Sequence, residues 1–161
     1  MGIADEHQEQ KTTAGGPDLH LVFPGDAASV RDALNSAMLV FRDMGLGEEL
    51  PGVVEIVLAE ALNNVVEHAY SDQGGGSVEL VVVREAAALA FRIRDDGVMM
   101  PGGVAPPGHA HDLDVPDTDL PEGGFGWFII REMTRDLSYQ RIADRNQLTF
   151  RIPFSADTDE A

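Results

Sequence analysis

The β-rich run from Val78 to Arg84 and the segment in which Leu89, Phe91 and Ile93 alternate with Ala90, Arg92 and Arg94 read as a pair joined across Glu85-Ala86-Ala87. A link that short makes a hairpin, because a parallel return needs a crossover of about a dozen residues or more. Antiparallel pairing is therefore built into the middle of the chain, and the flanking segments must pack on it. Upstream, Leu19, Leu21 and Phe23 alternate with His20 and Val22 until Pro24-Gly25-Asp26 stops the strand. Asp26 is placed to cap a helix carrying Val30, Leu34, Ala37 and Phe41, which Gly45 and Gly47 end. Pro51 suits the first turn of a second helix running to about Tyr70, with Val54, Leu58, Leu62 and Val65 on its buried side. Gly74-Gly75-Gly76 breaks the chain before the hairpin. Downstream, Trp127, Ile130, Met133 and Leu137 predict a third helix, followed by strands near Leu137 to Ile142 and Gln147 to Pro153. The fold class expected is an α/β (α+β) two-layer sandwich, a mostly antiparallel sheet with helices on one face.

With 161 residues, 43% of them hydrophobic, the chain is long enough to bury one sizeable core. We assign a single domain to residues 18–154, between polar tails at 1–17 and 155–161. Within it, the stretch from Asp96 to Gly124 is rich in proline and glycine and lacks a period. A loop that long inside a compact domain reads as a functional lid, here about 97–123, or as a disordered segment. The absence of cysteine rules out disulfides and thiolate metal sites. No apolar run approaches membrane-spanning length and the polar start lacks a signal-peptide core, so the expected location is cytoplasmic. A net charge of −17, with Lys11 the one lysine, argues against direct contact with nucleic acid or an anionic membrane. A basic protein partner is the natural complement, and solubility alone is an equal explanation.

Three short patterns carry chemistry. Glu60 and Asn64 stand one helical turn apart on one face. An amide oxygen at Asn64 suits magnesium that is already bound to phosphate, and Glu60 beside it could deprotonate an attacking hydroxyl. The same spacing also fits a solvated polar stripe. Asp95 ends a strand with Gly97 two positions on, so a carboxylate could accept from an adenine amine where the backbone offers a flat approach; an ordinary Asp-Asp-Gly turn is the alternative. Glu122-Gly123-Gly124-Phe125-Gly126 opens the third helix, where free amides and the macrodipole favour an anion, although a hinge would look alike. Walker and Rossmann patterns are poor matches, and no serine sits in a nucleophile elbow. Asn63, Glu67 and His68 read as surface, and His109 and His111 as a solvent-exposed pair. With the closing strand Asn146-x-Leu148-Thr149-Phe150, the ordered set points to ATP.

This order and spacing resembles the GHKL ATPase superfamily with its Bergerat nucleotide-binding fold, and within it the stand-alone serine-protein kinases that act as anti-sigma factors. Leu58 to Tyr70 (LAEALNNVVEHAY) looks like that group's N box, Arg94-Asp95-Asp96-Gly97 like its first glycine box, and Glu122 to Ile130 like its second. The resemblance implies Glu60 as catalytic base, Asn64 as magnesium ligand, Asp95 as adenine reader, and Gly97, Gly124 and Gly126 as nucleotide-cradling positions. It implies ATP and Mg2+ as cofactors. It also implies phosphorylation of a STAS-fold anti-sigma-factor antagonist, sequestration of a sigma factor in another state, and a homodimer. Histidine kinases share the ATP-binding fold, but this chain has no room for their dimerisation helix. A nucleotide-sensing or nucleotide-free partner-binding module is the alternative. Met99 stands where many relatives carry a second glycine, and Pro101 to Glu122 contains no Lys or Arg, leaving Arg131 as the candidate helper for phosphate charge.

Overall fold

A computed structural model describes residues 15–70, 76–108 and 125–155. The elements run β1 (Leu19–Pro24), α1 (Ala27–Asp43), α2 (Leu50–Asn64), a π-turn (Val65–Ala69), β2 (Ser77–Arg84), β3 (Ala88–Asp95), α3 (Phe125–Met133), β4 (Arg135–Ile142) and β5 (Arg145–Pro153). The five strands form one sheet in the order β1-β2-β3-β5-β4, and every neighbouring pair is antiparallel.

Local chemistry accounts for the boundaries. Asp26 accepts from the Ser29 backbone N–H at 2.8 Å and caps α1, as its position predicts. The β2–β3 hairpin turns across Glu85-Ala86-Ala87 and closes with Glu85 N–H on Ala88 O at 2.8 Å. The second helix is α-helical only to Asn64 and then widens into the π-turn, which ends at Tyr70. One expectation is corrected. Leu137 belongs to β4 and not to the third helix, which stops at Met133. Thr134 Oγ1 donates to Ile130 O at 2.6 Å, Asp136 turns left-handed at φ 55°, and β4 then enters the sheet through an irregularity between Arg135 and Ser138. The Trp127–Leu137 spacing fits a helix, but residues 135–142 gain a ladder with β5 that a longer helix would forfeit.

The alternating strand residues Val78, Leu80, Val82, Leu89, Phe91, Ile93, Leu148, Phe150 and Ile152 are all buried. They meet Val30, Ala37 and Phe41 of α1, Val54, Leu58 and Leu62 of α2, and Trp127 and Ile130 of α3 in one core. Phe91 stacks on Phe150, its partner in the β3–β5 register, at 4.9 Å between centroids, and Phe41 tilts onto Phe91 at 5.9 Å. The opposite sheet face mixes exposed valines, Val22 and Val83, with charged and polar pairs. Arg94 donates to Gln147 at 2.8 Å and pairs with Glu79, which also bonds His20. The result is the two-layer α+β sandwich with helices on one side.

Candidate functional site

Where the C-terminal half of α2 faces the ends of β3 and β5, a narrow cleft opens between Ala61, Asn64 and Val65 on one wall and Ile93, Asp95, Asn146 and Leu148 on the other. Met100, Trp127 and Tyr139 close its ends. Most of this lining is apolar, and its few polar groups converge, which is the usual composition of a small-molecule site.

Asp95 and Asn146 are the buried polar residues among those described, at 5% and 4% exposure. They face each other because Asp95 pairs with Asn146 in the β3–β5 register. Asn146 Nδ2 donates to Asp95 Oδ1 at 2.7 Å and to Val98 O at 2.9 Å, while Gly97 N–H donates to the same Asp95 oxygen at 3.0 Å. Asn146 Oδ1 in turn accepts from the Tyr139 hydroxyl at 2.5 Å and from Arg141 at 3.0 Å. Asn146 is thus committed to the protein, and it leaves Asp95 Oδ2 as the oxygen available to an incoming donor. Burial pushes the Asp95 carboxyl above its ordinary range, and the Asn146 and Gly97 donors pull against that shift.

Asn64 is also placed in the cleft, and its Nδ2 is buried without a hydrogen-bond partner among the described residues. An orphaned amide in a protein that satisfies its neighbours is a place for a ligand, and a half-turn of the amide presents Oδ1 instead. The residues fit magnesium only in company. No cluster of three His, Asp or Glu suited to a metal occurs among the described residues, so Asn64 would hold the ion together with phosphate oxygens.

Glu60 lies one turn earlier on α2 and reaches the start of α3, since a side-chain carbon at Gly126 would lie 2.5 Å from Glu60 Oε2. Glycine at 126 therefore makes room for Glu60. Gly126 lies in the first turn of α3, so the Glu60 carboxylate stands at the N-terminal end of that helix, the end whose dipole favours negative charge. Gly124 lies outside the described residues, as do His109 and His111. At Gly97 the close approach is internal as well: a side-chain carbon there would lie 2.4 Å from Ala69 O, which accepts from Val98 N–H at 2.9 Å. Asn63, Glu67 and His68 are exposed.

Arg131 does not reach into the cleft. Its guanidinium donates to Pro106 O at 2.9 Å and Ala105 O at 3.2 Å, strapping that segment to α3. Gly108 then crosses that helix so closely that a side-chain carbon would lie 2.7 Å from Phe128 N. Met99 is 46% exposed, and its neighbour Met100 is the one that lines the cleft.

Sequence reasoning singled out the Asn146 strand without giving that residue a role, and it passed over Tyr139 and Arg141. These occupy alternate positions of β4 opposite Leu148 and Asn146. The Tyr-x-Arg spacing was a usable signal once the β4–β5 register was known.

The histidine kinase-like ATPase domain matches residues 23–152. A serine/threonine-protein kinase, BtrW of Bordetella bronchiseptica, is 33% identical over 91 residues, covering 56% of this chain and 61% of that protein. The aligned part thus spans about three-fifths of that relative's length.

Proposed function

Because this chain belongs to the histidine kinase-like ATPase domain family, we propose that it is an ATP- and Mg2+-dependent serine/threonine protein kinase that also acts as an anti-sigma factor. The observation that carries this reading is the convergence of Asp95 and the orphaned Asn64 amide on one cleft, with Glu60 one helical turn before Asn64 and set against Gly126 in the first turn of α3. In this reading Asp95 Oδ2 accepts from the adenine amine while Asn146 and Gly97 hold the carboxylate still. Asn64 supplies the protein's oxygen to the magnesium, which when bound neutralises charge on the phosphates. The amides at the start of α3 receive phosphate oxygens, and Glu60 takes the proton of the attacking hydroxyl. Transfer of the γ-phosphoryl group forms the bond from the acceptor oxygen to phosphorus, breaks the bond to the bridging oxygen, and releases ADP.

The acceptor proposed is a serine or threonine of a STAS-fold antagonist. Capture of a sigma factor is the alternate engagement, and a homodimer is the working assembly. These proposals rest on the family resemblance of the N box and glycine boxes, with the serine/threonine-kinase relative in support. The location proposed is cytoplasmic; no described helix is long and apolar enough to cross a membrane.

The test is phosphate transfer from ATP to a purified STAS-fold protein, with and without magnesium. Transfer that requires magnesium and is lost in Glu60→Ala is expected; transfer undiminished in Glu60→Ala would remove Glu60 from the chemistry. A second reading, a nucleotide-sensing or nucleotide-free partner-binding module, is favoured by the engagement of Arg131 with the Ala105 and Pro106 carbonyls, which withdraws it from the cleft. ATP binding without any transfer would select that reading.

A further inference from the structure

Tyr70 lies outside the cleft, yet segments that shape the cleft meet on it. A side-chain carbon at Gly25 would lie 2.3 Å from the Tyr70 ring and one at Gly76 would lie 2.1 Å from it, so the ring sits directly on bare backbone at both positions. Gly25 N–H donates to Gly76 O at 2.9 Å, tying the start of α1 to the start of β2 around the ring. The Tyr70 hydroxyl accepts from Asp96 N–H at 3.1 Å, and its one proton is shared between Asp96 Oδ1 and Ser77 O, the latter at 3.0 Å. Ser77 N–H donates to the same Asp96 oxygen at 3.2 Å.

Ala69 grips the next part of that turn, accepting from Val98 N–H with its carbonyl packed against Gly97. Two consecutive residues at the end of the N-box helix therefore hold the backbone from Asp96 to Val98. That backbone supplies Gly97 N–H to Asp95 and Val98 O to Asn146, two of the contacts that orient the acid of the cleft. A shift in the turn reaches Asp95 directly.

Building on the adenine-nucleotide reading above, we propose that Tyr70 is a positioning residue for nucleotide binding: its hydroxyl pins the Asp96–Val98 turn and so fixes the direction in which Asp95 meets the base. The ring alone would serve packing. The hydroxyl is what engages Asp96, and it is the chief cause that holds the Asp96 carboxyl below its ordinary range.

The experiment uses the full chain as wild type, Tyr70→Phe, Asp96→Ala and the double variant, titrated with ATP and with ADP by calorimetry. Asp96 is followed by carboxyl NMR in the wild type and Tyr70→Phe. Each single variant is expected to weaken both nucleotides by about tenfold, the size of one hydrogen bond to a charged group. The loss should be equal for ATP and ADP, because the clip acts at the base end. The double variant should lose less than the sum of the two single losses, because both changes remove the same Tyr70–Asp96 side-chain bond. In Tyr70→Phe the Asp96 carboxyl should titrate at higher pH, a signature that loss of ring packing would not produce. Tyr70→Phe binding both nucleotides like the wild type, a loss confined to ATP, or additive losses in the double variant would each overturn the proposal. A wild type that binds neither nucleotide would overturn the kinase reading itself, and the wild-type titration separates that failure from the others. Should Tyr70→Phe not fold, Asp96→Ala leaves the ring seated and tests the same bond.

Discussion

Asp95 is the stronger acceptor while ionised, and burial makes that state harder to hold. Its pKa is raised, so nucleotide affinity is expected to fall as the pH drops through a midpoint above the ordinary aspartate value of about 3.9. Calorimetric titration with ATP across a falling pH series checks this, and Asp95→Asn should bind weakly with no such midpoint. Asn146→Ala removes a donor that favours the ionised form. It should lower affinity at neutral pH and move the midpoint upward. A wild-type midpoint in Asn146→Ala would mean that Gly97 alone orients the carboxylate.

Gly97 and Gly126 both admit a neighbour where a side chain would stand, but the neighbours differ. At Gly97 it is the Ala69 carbonyl, already bonded to Val98. Gly97→Ala must displace backbone and should cost about 2 kcal/mol, read by denaturant unfolding. At Gly126 it is the flexible end of Glu60. Gly126→Ala should change stability by less than about 0.5 kcal/mol. It should slow phosphate transfer by about tenfold or more, because Glu60 is turned from its place. The sequence reads these glycines as ligand cradles; in the fold each of Gly97 and Gly126 admits a protein group instead, and Gly124 lies outside the described residues. The β2–β3 hairpin and the buried stripe of α2 were legible because a three-residue link and a helical apolar period each leave few alternatives. The β4–β5 hairpin was harder to read. It turns on Ala143 and Asp144, both left-handed at φ 49° and 63°, without the Asn-Gly pair that usually announces such a turn. The register placing Tyr139 and Arg141 beside Asn146 was hidden with it, and Leu137 continued the spacing of α3 closely enough to be read as helix.

The assembled protein joins an apolar core to a strongly acidic surface, and acid acts on it in two directions. The carboxyls of Asp26, Glu79 and Asp96 are held below their ordinary ranges in the fold. Their stabilisation is present above the unfolded values of about 4 and is lost as the pH falls through the lower folded values. Asp95 has the opposite sign, and protonating it relieves a burden of burial. Nucleotide should protect the whole chain. At a free ATP concentration about a hundred times Kd, linkage supplies about 2.7 kcal/mol, or about 5–10 °C in Tm for a domain of this size. Asp95→Asn should lose most of that shift in a thermal scan. The residues proposed for the site also come from both sides of the long connection in the chain: Glu60, Asn64 and Asp95 precede it, Gly126, Tyr139 and Asn146 follow it, and the β3–β5 ladder joins Asp95 to Asn146. Doubling the length of such a connection raises its closure cost by only about 0.6 kcal/mol. The chain length between Gly108 and Phe125, beyond the residues that hold Asp95 and line the cleft, is therefore where descendants can insert or delete with little effect on the scaffold, so new partners can be acquired there without rebuilding the cleft.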